Sequence, residues 1–348
     1  MLLFCRWAKN IQRNSNPNAA LRLAVCFAST VVLVYKSRPG MTPEFISRNC
    51  PLCGRGNSEP ALEKGALHLV RCLQCPMVYA NPVPTDLASG EYYDRAAADY
   101  YLSPAKLRSD YADIRFEREL RLFRKYCARG TVLDVGCSSG GFLYQLKKRF
   151  GDCYDVLGTD ASGPALAYAE SRGLPVRRGS FLDQALPHGS FDAITFWAVL
   201  EHLLEPARFL QHASRLLKPT GLCFVLVPNF ESLATRVLGA RYRYIYPQHL
   251  NYFTRAALTA FAGRRFSMLE LRSTHFNPLV VWQDWRHRGR NVSNPERAAL
   301  LERTTGLKQN PALRPIKVLY RLCEMSLGAV NLADNLAAVL INRPGHSP

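Results

Sequence analysis

VLDVGCSSGGF, residues 132 to 142, reads as a buried strand that breaks on a glycine-containing turn and leaves it as a helix. Gly136 and Gly140 let the backbone turn tightly and let a ligand come close where a β-carbon would collide. The helix beyond offers free N–H groups at its N-terminus. A dinucleotide fingerprint requires G-x-G-x-x-G. Here Ser138 stands at the middle glycine position, which leaves a pyrophosphate less room. Asp134, two residues before the first glycine, would repel a pyrophosphate and suits the ammonium of a methionine moiety. The residues therefore favour S-adenosylmethionine over a nicotinamide cofactor. The next strand ends in LGTDAS, residues 157 to 162. Asp160, with Ala161 beside it, follows Gly136 at the interval where an acidic residue meets ribose hydroxyls. A lone Asp after a strand is otherwise a helix N-cap; its pairing with the glycine turn favours the ribose.

Around this turn, short apolar strands alternate with helices. Strands are expected at 131–135, 156–159, 175–179, 192–196, 222–227 and around 268–273. Helices are expected at 141–149, 164–171, 206–217 and 254–264. Such alternation predicts an α/β fold, Rossmann-like and doubly wound on a mostly parallel sheet. Upstream, residues 104–128 place Leu107, Tyr111, Ile114, Leu120, Phe123 and Tyr126 near helical spacing, as one cap helix. Residues 86–103 are rich in tyrosine and alanine. Downstream, residues 285–321 turn strongly basic, and 319–340 are apolar with poor alternation. That last stretch reads as a helix packed on the core, with a membrane-surface helix as the alternative.

Cys50, Cys53, Cys72 and Cys75 form C-x2-C, eighteen residues, C-x2-C. This is the spacing of a tetrahedral four-thiolate zinc site. Four protein ligands leave no open position, so the zinc would be structural. Gly54 eases the first turn around the metal. The other seven cysteines are scattered and odd in number, which fits a reducing compartment and a cytoplasmic location.

The segments VLDVGCSSGGF and LGTDAS, then SFDAITFWAVLEHLLEP (190–206), LLKPTG (216–221), VPN (227–229) and HLNYFT (249–254) together resemble class I S-adenosylmethionine-dependent methyltransferases. The likeness runs over about residues 86 to 275. It implies that Gly136, Cys137 and Gly140 line the methionine moiety and that Asp160 holds the ribose. Ser180 and Phe181 would lie near the adenine, and Trp197 and Ala198 by the transferable methyl. Ser138 departs from the group, which usually has glycine there. The cysteine segment, with Val78-Tyr79-Ala80-Asn81-Pro82 after it, resembles the zinc ribbon that often precedes such enzymes. It lacks the interleaved aromatic and basic residues of a nucleic-acid surface, so docking on the catalytic domain is the expected role.

In such an enzyme a base takes a proton from the acceptor where one is needed. His202 and His249 are the candidates, and Tyr252 is a candidate to orient the acceptor. The plainer reading is that Glu201 and His202 close a helix and bond a loop. The expected organisation is an extension at 1–40, a ribbon at 41–85, a methyltransferase domain at 86–280 and a basic helical region at 281–348. Residues 23–35 are apolar but too few to span a bilayer. They are read as outside the fold, with a weak membrane anchor as the alternative. The net charge of +18 points to an anionic partner or to a merely solvated basic surface. The expected acceptor is a small molecule, a sugar or a lipid-linked compound. RNA methylation, or a non-catalytic protein that contacts an anionic polymer, is the alternative. Peripheral membrane contact through either terminal segment also stays open.

Overall fold

The computed structural model describes residues 44–286 and 292–343, together with the backbone of residues 22–27 and 30–35. Those two short pieces are antiparallel strands β1 (Arg22–Phe27) and β2 (Thr30–Tyr35). The rest of the expected extension at 1–40 lies outside the described residues.

The cysteine segment carries β3 (Phe45–Ile46), β4 (Ser58–Lys64), β5 (Leu67–Cys72), β6 (Val78–Ala80) and β7 (Val83–Pro84). The larger domain carries β8 (Gly130–Val135), β9 (Tyr154–Asp160), β10 (Val176–Arg178), β11 (Phe191–Trp197) and β12 (Leu217–Pro228). It continues with β13 (Asn251–Tyr252), β14 (Phe266–Thr274) and β15 (Asn335–Asn342). The central sheet has the order β10-β9-β8-β11-β12-β15-β14. The strands from β10 to β12 are parallel, and β15 runs antiparallel to both β12 and β14. The inner strands are apolar on both faces, because helices cover both sides. One layer gathers Phe123, Phe142, Leu146 and Tyr154. The other gathers Leu210, Leu216, Leu258 and Phe261, and the ribbon's Met77 and Tyr79 join it.

Two expectations change. The single helix over 104–128 is two, α1 (Pro104–Asp110) and α2 (Glu117–Tyr126). They are separated by a bend at which Phe116 takes φ +60°. Helices α3 (Gly141–Phe150), α4 (Gly163–Ser171), α5 (Pro206–Leu216) and α6 (Arg255–Ala262) follow the sequence pattern. After them come α7 (Pro278–Arg286), α8 (Asn294–Gln309) and α9 (Arg314–Ala329). The stretch 319–340 is not one packed helix. Its first part ends α9, and its second is β15, whose Leu336 to Leu340 are all buried. A strand covered on both faces shows no alternation, and so cannot be told from a buried helix by period. The outer face of α9 exposes Val318, Leu319, Leu322 and Met325. Among the described residues no helix is long and apolar enough to cross a membrane.

Candidate active site

The turn after β8 is held by strand β9. Gly136 N and Cys137 N donate to Thr159 O at 2.7 and 3.1 Å. Ser138 N donates to Asp160 Oδ2 and Ser162 N to Asp160 Oδ1, both at 2.8 Å. Gly136, Ser138 and Gly140 all have positive φ, +71°, +51° and +80°. A β-carbon on Gly136 would stand 2.6 Å from Val199 Cγ2, and one on Gly140 2.4 Å from Leu174 Cδ1. The glycines are thus required by backbone hand and by protein neighbours. Ser138 pays the cost of the left-handed region, roughly 1–2 kcal/mol. Ala198, Phe116 and His275 do so too, at φ +58°, +60° and +60°. All four border one cavity, and strain of this kind collects at functional sites.

That cavity, about 670 Å³ in volume, opens at the C-terminal ends of β8 and β11. Asp134, Gly136, Cys137, Trp197, Ala198, His202 and His249 lie on its wall. Gly140, Asp160, Ala161, Ser180, Phe181 and Tyr252 do not. Asp160 sits directly behind Ser138 through the bond just described. Phe181 is buried against Phe196, Phe209 and His212, so it is a core residue and not a cavity liner. Tyr252 is also buried, and its hydroxyl donates to Tyr246 O at 3.2 Å; it holds a loop and does not reach the cavity. Asp134 accepts from Thr195 Oγ1 at 2.6 Å. Burial, and secondarily the nearby Asp160, raise its carboxyl to about 7. A bound cation would return it to the ionised form.

Several buried polar atoms on the cavity wall have no protein partner: Ser138 Oγ, Trp197 Nε1, Glu201 Oε2, Gln248 Oε1 and His275 Nδ1. Buried polar atoms are ordinarily paired, so this wall is complete only with a ligand or solvent. Together with the Asp134 carboxylate and the turn amides, the set fits an amino-acid-bearing nucleoside such as S-adenosylmethionine.

The two histidines sit together, ring centroids 4.8 Å apart. His202 Nδ1 lies 2.8 Å from Gln248 O, and His249 Nδ1 lies 3.0 Å from Tyr244 O. A carbonyl only accepts, so each ring carries its proton on Nδ1. Burial lowers the His202 imidazole to about 4 and pushes His249 well below its ordinary value. Both rings are neutral near pH 7, and each keeps an unprotonated Nε2. Glu201 is buried, its Oε1 4.0 Å from His202 Nε2, and burial lifts its carboxyl to about 8.

The ribbon positions this group. Strand β13 pairs antiparallel with β6, extending the ribbon sheet to β13-β6-β5-β4. Arg48 enters the catalytic domain and donates to Ala80 O, Leu204 O, Leu250 O and Asn251 Oδ1, at 2.7 to 3.2 Å. Asn251 in turn donates to Leu200 O and Leu203 O, and Leu250 N donates to Glu201 O. The docking expectation is met in these contacts. Cys50, Cys53, Cys72 and Cys75 bring their four sulfurs within 4.8 Å of one another. Cys50 and Cys75 are 3.4 Å apart, and Cys53 and Cys72 are 3.5 Å apart. A tetrahedron of 2.3 Å metal–sulfur bonds has edges of about 3.8 Å, so the cluster fits a zinc ion with slight opening.

Sequence reasoning left Arg48 and the aromatic wall unassigned. Tyr92, Tyr100, Tyr101, Tyr244 and Tyr246 all border the cavity. A five-residue π-helical turn, Ala97–Tyr101, presents both Tyr100 and Tyr101 to it. The tyrosine richness of 86–103 and the alternation Tyr242, Tyr244, Tyr246 were the available signals.

The buried Glu201 makes stability depend on pH. Its folded value is raised, so the unfolded chain ionises first as pH climbs from about 4.5 to about 8. The folded state then loses relative stability across that window. Glu201→Gln removes the loss. The melting temperature of the variant relative to wild type, followed by scanning fluorimetry, rises between pH 5 and pH 9. A difference that does not change with pH would show that Glu201 ionises normally.

Comparison with known proteins gives the same reading. Residues 107–265 match a family model described as a methyltransferase domain. A ubiquinone biosynthesis O-methyltransferase from Caulobacter vibrioides is 32% identical over 181 residues, covering 46% of this chain and 69% of that enzyme. One from Xanthomonas oryzae pv. oryzae is 31% identical over 208 residues, covering 56% and 80%. Among solved structures, a geranyl diphosphate C-methyltransferase from Streptomyces coelicolor is 16% identical, with a TM-score of 0.43 over 65% of this chain and 75% of that one. With its glycine turn and its strand order, the chain belongs to the S-adenosylmethionine-dependent methyltransferases.

Proposed function

We propose that the chain methylates a hydroxyl oxygen of a small acceptor, with His202 as general base. The observation that carries this reading is the single cavity that joins the glycine turn to two neutral histidines with free Nε2 atoms. S-adenosylmethionine, when bound, supplies an activated methyl on a good leaving group. Asp134 would take its ammonium and Asp160 its ribose. Ser180 and Ala161, at the rim of the β10 and β9 ends, would flank the adenosine. Trp197 and Ala198 would border the methyl. His202 Nε2 would accept the acceptor's hydroxyl proton as the oxygen becomes the nucleophile. His249, fixed by Tyr244 O, would orient the same hydroxyl. The tyrosine wall holds the acceptor and excludes water, so that proximity supplies much of the rate. O-methylation is also the activity in the names of the two curated relatives. A tyrosine-lined cavity of about 670 Å³ suits a small molecule better than an RNA chain.

Calorimetric titration with S-adenosylhomocysteine tests the cofactor assignment. Wild type is expected to bind at micromolar levels. Asp160→Ala is expected to bind at least tenfold more weakly, about 1.4 kcal/mol. Absence of binding to folded wild type would overturn the reading.

The cysteine cluster is the second part of the proposal: Cys50, Cys53, Cys72 and Cys75 hold one structural zinc. Its removal would loosen the ribbon, and with it the Arg48 contacts to the segment of His202. Elemental analysis should find one zinc per chain, and stripping it with a chelator should lower the melting temperature. Metal-free protein that melts like the native sample would contradict the assignment.

A further inference from the structure

Helix α8 covers the cavity with one face, on which Asn294, Arg297, Leu301, Thr304 and Lys308 follow at helical spacing. It is anchored to α1 by a Ser109–Thr305 hydroxyl pair at 2.7 Å and by the Arg108–Glu302 ion pair. Arg297 stands out on that face. Its guanidinium lies over the rings of Tyr100 and Tyr246, 4.7 and 4.6 Å from their centroids. One N–H donates to Tyr246 Oη at 3.1 Å. Tyr246 in turn packs on His249 at 4.2 Å between centroids. The guanidinium is thus one ring away from the two histidines, and its charge helps to keep both of them neutral.

We propose that Arg297 binds an anionic group of the acceptor, a carboxylate or a phosphate ester, and so aims the acceptor's hydroxyl at His202. The proposal rests on the reading of the cavity as a methyl-transfer site. Among the described residues, no carboxylate lies within ion-pair distance of Arg297. Of the four other cavity cations, Lys106 and Arg115 are already paired with Asp110 and Lys317 donates to Lys308 O and Asn310 O, while Lys308 stands further along α8, away from the histidines. The acid closest to the histidines, Glu201, is kept protonated by burial near neutral pH. A guanidinium has five N–H donors; one is given to Tyr246 Oη, and stacking on the two tyrosine faces uses none of the others. That is the geometry in which arginine takes a carboxylate or phosphate in a two-point grip. The neighbouring tyrosines suit the apolar body to which such an anion would be attached. A purely structural Arg297 would pin α8 to Tyr100 and Tyr246 without any need for a ligand, and the two roles separate by experiment.

Protein saturated with S-adenosylhomocysteine would be titrated by calorimetry with phenyl phosphate, with benzoate, and with benzyl alcohol as the neutral control. Wild type should bind one or both anions saturably. Arg297→Gln should bind them at least tenfold more weakly while keeping its affinity for S-adenosylhomocysteine. Arg297→Lys, which retains the charge but not the fork, should fall between them. Arg303→Gln, at an exposed position of the same helix, should match wild type. Equal anion binding by wild type and Arg297→Gln would overturn the proposal, as would no saturable anion binding by wild type. Loss of anion affinity in Arg297→Gln matched by equal loss of benzyl alcohol affinity would also overturn it, since that marks a collapsed roof. Failure of wild type to bind S-adenosylhomocysteine would instead sink the methyl-transfer reading beneath it.

Discussion

The Arg48 guanidinium is the fastening on which the site's geometry depends. Burial lowers its pKa only to about 10, so it stays charged inside the protein. A buried charge is tolerated only when its donors are satisfied. Here they reach three backbone carbonyls and the Asn251 side chain, drawn from the ribbon, the loop after β11 and strand β13. The short helical turn Leu200–His202 is thereby tied to the β13 segment that carries His249. The ribbon is best understood as the clamp that sets two histidines side by side. The four-cysteine cluster is joined to that clamp through the β5, β6 and β13 pairing.

A second constraint comes from the end of the chain. Strand β15 lies between β12 and β14, so the sheet is complete only when residues after α9 return to it. The helices that roof the cavity are therefore an insertion between two neighbouring strands, β14 and β15. Both ends of that insertion are anchored in the sheet. This arrangement holds α8 over the cavity mouth, where a free helical tail could not.

Much of the catalytic half was legible in the sequence. The turn 132–142 and the strand–helix alternation to residue 274 carry their periods openly, because each strand is short and bounded by turn residues. Asp134 and Cys137, both in that strand-turn-helix unit, lie on the cavity wall. Phe181 packs into the core, since one aromatic after a strand turns inward as readily as toward a ligand. Tyr252 lies away from the cavity for a related reason: its strand pairs with β6, a long-range contact that no local pattern announces. Strand β15 was hidden by its own burial. Arg48 and Arg297 were hidden by distance, as their partners lie up to about two hundred residues away for Arg48 and on two separate segments for Arg297.

On this geometry the cofactor lies against the β8 turn and the strained loop after β11. Hydrogen–deuterium exchange of the full chain, with and without S-adenosylhomocysteine, is the decisive measurement. Protection is expected to concentrate in residues 134–142, 158–162 and 197–203. Protection confined to other segments, or no change on adding the ligand, would contradict it.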